Sequence, residues 1–250
     1  MNTGNKAFNA LVVALLACAG FAVRPAQAAA PDLAGTWLPV EELSTPFPSP
    51  LPLTAAGRAL YDSFNPDRDE PAGFCMPLGT PRNTLAGTGP MEVLQAPDRV
   101  YFVFQPNLLN AETRRVYLFD RKLPPKEERL PTWFGLSRGH FEGEALVVET
   151  TELEPQAILN GDGLRHGGGL SVRERWHVAQ DPRRGRVLVA DIVLTATADF
   201  TQPITMRRVF SWAPDARLAE GQCSEGLWID RLWRHRLGEH AAAKRAEAAK

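Results

Sequence analysis

The chain has 250 residues, 44% hydrophobic and 23% charged, with 20 glycines and 21 prolines, which excludes collagen-like, low-complexity and wholly disordered chains. A formal net charge of -1 supplies no broad basic field, so nucleic acid is not an expected partner. The single long apolar run is N-terminal, which excludes a protein of many membrane spans.

That first run reads as an address. Lys6 gives a positive start, Ala10 to Val23 are apolar apart from Gly20, and Ala26-Gln27-Ala28 forms a small-x-small cleavage pattern. A signal peptide over residues 1–28, removed on export to the periplasm or beyond, is expected. A retained anchor and lipidation at Cys18, after Leu15-Leu16-Ala17, are the alternatives. Cleavage leaves 26 basic and 29 acidic residues and two cysteines, Cys75 and Cys223. In an oxidising compartment these are candidates for one disulfide, worth about 4–5 kcal/mol for so long a loop; two separate buried thiols are the alternative.

Residues 29–90 read as a Pro-rich segment, with Pro39, Pro46, Pro48, Pro50 and Pro52 excluding a central strand. A short helix is expected after Thr54 as N-cap, ending at Asn65-Pro66, followed by a solvated loop over Asp67, Arg68, Asp69 and Glu70. From Pro90 the apolar period becomes two. Strands are predicted at Met91–Gln95, Val100–Gln105, Arg114–Asp120, Trp133–Glu142, Ala145–Leu153, Leu170–Val178, Val187–Phe200 and Ile204–Trp212, with a further candidate at Gly35–Trp37. Short turns such as Ala96-Pro97-Asp98-Arg99 and Glu142-Gly143-Glu144 make sequence neighbours antiparallel. The expected fold is mainly β: an up-and-down, lipocalin-like antiparallel barrel over residues 91–226, which removes the sheet edges. A C-terminal helix with a frayed tail occupies 227–250.

Parity selects what enters the barrel. Glu174 alternates with Leu170, Val172, Trp176 and Val178, and Arg208 with Ile204, Met206 and Phe210, so both point inward; Glu149 is placed beside Val147. An unpaired inward carboxylate costs several kcal/mol, so Glu174 and Arg208 are expected to pair or to line a wet cavity. Register-fixing alone is one role for such a pair. The other is the charged floor of a pocket walled by Trp37, Trp133, Trp176 and Trp212.

His166, between turn residues and Gly167-Gly168-Gly169, is either a mouth-lining proton carrier or a solvent-facing loop histidine. His140, His177, His235 and His240 lack metal-ligand spacing, and no nucleotide motif is followed by a helix, so no metal or cofactor is expected. Gly135-Leu136-Ser137-Arg138-Gly139 matches a nucleophile-elbow string, but a hairpin follows where the elbow needs a helix.

The run WFGLSRGHFEGEALVVET from Trp133 to Thr150 resembles the W-x-G-x-S-x-G-x-W-E-G-D-x-L-V-V-x-T signature of a large, mostly uncharacterised family of secreted bacterial proteins, with Phe141 and Glu144 as departures. The resemblance extends to Cys75–Arg82, to Leu164–His166, to Val172–Trp176 and to Asp199–Pro203. It implies secretion and a β fold, and it draws attention to Arg82, Ser137, Glu149, His166 and Glu174. Gly35-Thr36-Trp37 is similar to the opening of lipocalins.

Two functions are consistent with these residues. One is a periplasmic carrier of a small apolar or aromatic molecule, its polar end fixed by Arg208, Ser137 and Glu174, with Glu149, Arg82, Trp176 and Trp133 as further contacts. The other is a cofactor-free lyase or isomerase with Glu174 or His166 as general base and Arg208 or Arg82 stabilising negative charge. A filled barrel serving only as an envelope interaction module is the third.

Overall fold

The computed structural model describes residues 30–105, 111–118, 125–155, 157–219 and 225–248. The expected leader, Cys18 and Cys223 lie outside the described residues, and with Cys223 the expected disulfide to Cys75.

Nine strands close a barrel in chain order: β1 Gly35–Pro39, β2 Met91–Ala96, β3 Arg99–Phe104, β4 Glu112–Tyr117, β5 Leu136–Glu142, β6 Ala145–Thr151, β7 Ser171–Asp181, β8 Gly185–Thr195 and β9 Ile204–Trp212. Closure runs through β1, which pairs antiparallel with β2 (Trp37 opposite Met91) and with β9 (Trp37 opposite Trp212). The first barrel strand therefore precedes the Pro-rich connection. One neighbouring pair departs from the expected antiparallel order: β4 and β5 are parallel, with Val116 opposite Ser137 and Tyr117 opposite Arg138. A hairpin cannot join parallel strands, and here 18 residues, 118–135, separate the two.

Alternation gives the interior. Val93, Val100, Phe102, Leu146, Val148, Val172, Trp176, Leu188, Ile192 and Phe210 all join one buried cluster. Trp176 anchors it, with ring centroids 4.6 Å from Phe102 and 6.0 Å from Phe210. Burying each such side chain contributes about 1.5–3 kcal/mol. Strand β8 is apolar on both faces because its outer side is also covered: Val187 and Val189 pack with Val40 and Val209 beneath the turn at Glu41–Leu43.

The segment between β1 and β2 folds over one end of the barrel, where β3, β6 and β8 finish and β2, β4, β7 and β9 begin. Helix α1, Ala55–Asp62, starts as expected at Thr54, whose side chain accepts from the Gly57 amide at 3.0 Å. Gly57 is required by proximity: a Cβ there would sit 2.1 Å from the Asp199 carbonyl oxygen. Helix α1 ends at Asp62, short of the expected Asn65-Pro66, which instead starts a further helix: Pro66–Asp69 forms α2 with Asn65 Oδ1 accepting from the Asp67 amide at 2.9 Å. An Asn N-cap followed by proline at the first helical position is a start signal as much as a stop, which is why the expected solvated loop is a helical turn. A third short helix, α3 (Arg82–Ala86), is almost wholly buried. Helix α4 runs over Glu225–Ala248, beyond the expected point of fraying at Ala241, through residues of high helix propensity.

Candidate functional site

Glu174 and Arg208 both point inward, as parity predicts, with 0% and 4% exposure. They do not meet. Glu174 Oε1 and Oε2 accept from Arg114 Nη1 and Nη2 at 2.9 and 2.5 Å, a bidentate pair spanning the barrel from β4 to β7. Arg114 also donates to Ser137 Oγ at 3.0 Å and to Thr150 Oγ1 at 2.7 Å, and those two hydroxyls lie 2.8 Å apart. Its guanidinium stands over the Phe102 ring at 6.0 Å. Arg208 is held instead by Glu41, through contacts of 2.8 and 2.7 Å, where β1 runs into its following turn. That hydrogen bond keeps the Glu41 carboxyl below its ordinary range despite some burial. Arg114, on β4, is directly opposite Phe102 and faces the Glu174 wall, whereas Arg208 shares a cross-strand row with Ala190 and Trp176.

The expected charged floor is therefore a closed network. Among the described residues Ser137 hydrogen-bonds to Arg114 and Thr150 and to no imidazole. The expected aromatic walls are divided: Trp37 and Trp176 are core, packed and fully buried. Trp212 is partly exposed, edge-on to Trp37 at 5.0 Å, with the Arg186 guanidinium 4.6 Å above its ring. Trp133 lies outside the barrel in a pocket of about 360 Å³ with Phe74, Met76 and Arg165. Glu149 is a correction. It is exposed on the outer face of β6, opposite Arg138 and Arg173, and lines an external cleft of about 560 Å³. Residues 145–148 are buried on both faces, so period two could not choose a side there; Thr150, one residue on, is the inward one.

A second polar group gathers at the covered end. Thr80, Arg82 and Asn83, around the start of α3, are 0%, 8% and 2% exposed. Arg82 makes a bidentate pair with Glu70 at 2.7 and 3.0 Å. Glu112, at the start of β4, accepts from the Leu78 and Gly79 amides at 2.6 and 3.2 Å, tying this segment to the barrel rim. Burial nevertheless raises the Glu112 pKa, opposed by those amides, by Arg82 and by Asn83. From the β6–β7 loop comes His166, 1% exposed. Burial pushes its pKa down to about 4, although the Asp199 carboxylate and the Glu154 carbonyl favour the charged form. His166 is thus a buried neutral imidazole and not a solvent-facing loop residue.

Thr80 Oγ1, Arg82 Nε, Asn83 Nδ2, Arg165 Nε and both ring nitrogens of His166 complete no hydrogen bond of good geometry among the described residues, although Asn83 faces the Glu112 carboxylate and His166 the Glu154 carbonyl. Trp176 Nε1, deeper in the barrel, completes none either. Buried polar atoms are satisfied in the great majority of cases, so six at one barrel end mark it as the candidate site. Sequence reasoning missed Arg114, although it shares the parity of Val116. It also missed Thr80, Asn83 and Glu112, because their burial comes from a segment folding over the barrel and leaves no periodic trace. Among the described residues no group of three or more metal-ligating side chains occurs, and no helix is long and apolar enough to cross a membrane. No protein-family model and no curated protein matches the chain.

Proposed function

We propose that the protein is exported, loses residues 1–28, and binds a small, largely apolar molecule at the covered end of its barrel. A barrel of about this strand number can hold one small ligand. The observation that carries the proposal is the set of buried, unpartnered polar atoms on Thr80, Arg82, Asn83 and His166. Leaving each without a partner costs about 1–3 kcal/mol, which a ligand hydrogen bond would offset. Glu174 then serves as a structural strut, locked by Arg114, and the ligand-contact role expected for it passes to the covered end.

General acid–base catalysis is the weaker alternative. Glu174 is saturated by its arginine, and an imidazole titrating near 4 is a poor base at neutral pH, where the best catalytic pKa lies near the working pH. Membership of the secreted family suggested by the Trp133–Thr150 run, and pairing of Cys75 with Cys223 in an oxidising compartment, belong to the same proposal.

The test is to purify the exported protein under non-denaturing conditions, extract it with organic solvent, and identify bound small molecules by mass spectrometry. N-terminal sequencing of the same sample should begin after Ala28. A near-stoichiometric molecule that disappears in a His166→Leu variant supports the proposal. A protein that carries nothing, and is stabilised by no member of a small-molecule screen, refutes it.

A further inference from the structure

The unpartnered atoms at the covered end differ in what they can offer a ligand. Arg82 Nε and Asn83 Nδ2 can only donate, as can Trp176 Nε1 farther inside. The Thr80 hydroxyl can do either, and a neutral His166 offers one donor and one acceptor. No obligate acceptor stands among them, so the group is matched to a molecule that presents oxygen lone pairs.

Charge narrows the class further. The Arg82 guanidinium is bidentate to Glu70, and Arg114 is bidentate to Glu174, so each cation is already neutralised by a carboxylate. Glu112 and Asp199, both buried, add negative character at the same end. His166 carries no compensating charge. An anionic ligand would have to draw Arg82, Arg114 or Arg165, whose Nη1 lies 3.8 Å from Asp69, away from the carboxylate it already faces, and would lie beside two carboxylates. A cationic ligand would meet a group of donors instead of acceptors. Both arrangements bury a charge without its complement, the most costly outcome in a protein interior.

We infer that the molecule held at the covered end is uncharged and presents a carbonyl or ether oxygen to the donors of Arg82, Asn83 and His166, with its apolar part against the aromatic interior. Ketones, esters, lactones and quinones fit; carboxylates and amines do not. The inference rests on the proposal that this end binds a ligand at all.

Four probes of similar size separate the outcomes: acetophenone, ethylbenzene, benzoate and benzylamine, titrated into the full mature protein by calorimetry or ligand-observed NMR. Acetophenone and ethylbenzene differ at the carbonyl oxygen alone. One hydrogen bond to a donor otherwise left bare predicts about tenfold tighter binding of acetophenone. Benzoate and benzylamine should bind at least tenfold more weakly than acetophenone. In Asn83→Leu or Thr80→Val, the preference for acetophenone over ethylbenzene should shrink severalfold while ethylbenzene binding is kept; having two variants covers the failure of one to fold. Equal binding of acetophenone and ethylbenzene, or tighter binding of benzoate or benzylamine, overturns the ligand class but leaves a binding protein. Binding of none of the four overturns the class, and counts against the binding proposal only if the extraction also finds nothing.

Discussion

Removing one member of the Arg114–Glu174 pair should be far more damaging than removing both. Glu174 is fully buried and Arg114 is 1% exposed, so Arg114→Met strands a carboxylate in the barrel centre with its two strongest donors gone. Ser137 and Thr150 would still satisfy one another across 2.8 Å, so the loss falls on Glu174. The expected cost is about 3–5 kcal/mol, a large share of the stability of a single domain. Glu174→Leu strands the guanidinium instead and should cost a similar amount. The double variant Arg114→Met with Glu174→Leu replaces the pair by apolar groups among Phe102, Val148 and Ile192, and should lie within about 1–2 kcal/mol of wild type. Urea denaturation of the four proteins, followed by tryptophan fluorescence, closes the double-mutant cycle with a coupling above about 2 kcal/mol. Single variants costing under about 1 kcal/mol, or a double variant as unstable as the sum of the singles, would refute the picture of a desolvated, mutually dependent pair.

A smaller effect is expected at the other inward arginine: Arg208 is buried but its partner Glu41 is 66% exposed, so removing Glu41 opens the guanidinium end to water, and Glu41→Ala should cost about 1–2 kcal/mol in the same urea assay, less than Arg114→Met. His166 makes stability depend on pH. Its folded pKa of about 4 lies below the unfolded 6.5, so stability is full above pH 6.5 and falls by up to about 3 kcal/mol as pH drops toward 4; in His166→Asn this part of the slope should vanish, and an unchanged slope would contradict its burial. Thr54→Ala removes both the N-cap of α1 and the 2.7 Å bond to the Ala198 carbonyl, and should lower stability by about 1–2 kcal/mol. Gly35→Ala should lower the melting temperature and alter tryptophan fluorescence, since a Cβ there would lie 2.1 Å from the Trp212 ring at a φ of +124°.

The barrel was legible because period two survives in strands with one apolar face. Leu170 to Val178 and Ile204 to Trp212 place Glu174 and Arg208 inward with no other information than alternation. The same rule failed at Glu149, because residues 145–148 are apolar on both faces and the alternation has no sign there. Partner choice was not legible. Arg114 and Glu174 are 60 residues apart and meet only because closing the barrel brings β4 across from β7. The parallel β4–β5 pair is a property of the intervening connection, which has no periodic pattern to read. The covered end was the least accessible: Thr80, Asn83 and Glu112 are ordinary polar residues until residues 40–90 fold over the barrel rim.

The central claim is that the covered end, and not the Glu174 network, is where a ligand is held. Titration of isotopically labelled protein with acetophenone, observed by NMR, tests it directly. The account predicts shifts concentrated on the amides and side chains of Thr80, Asn83 and His166, with Arg114 and Glu174 little changed. Shifts confined to the outer cleft at Arg138 and Glu149, or centred on Glu174, would contradict it.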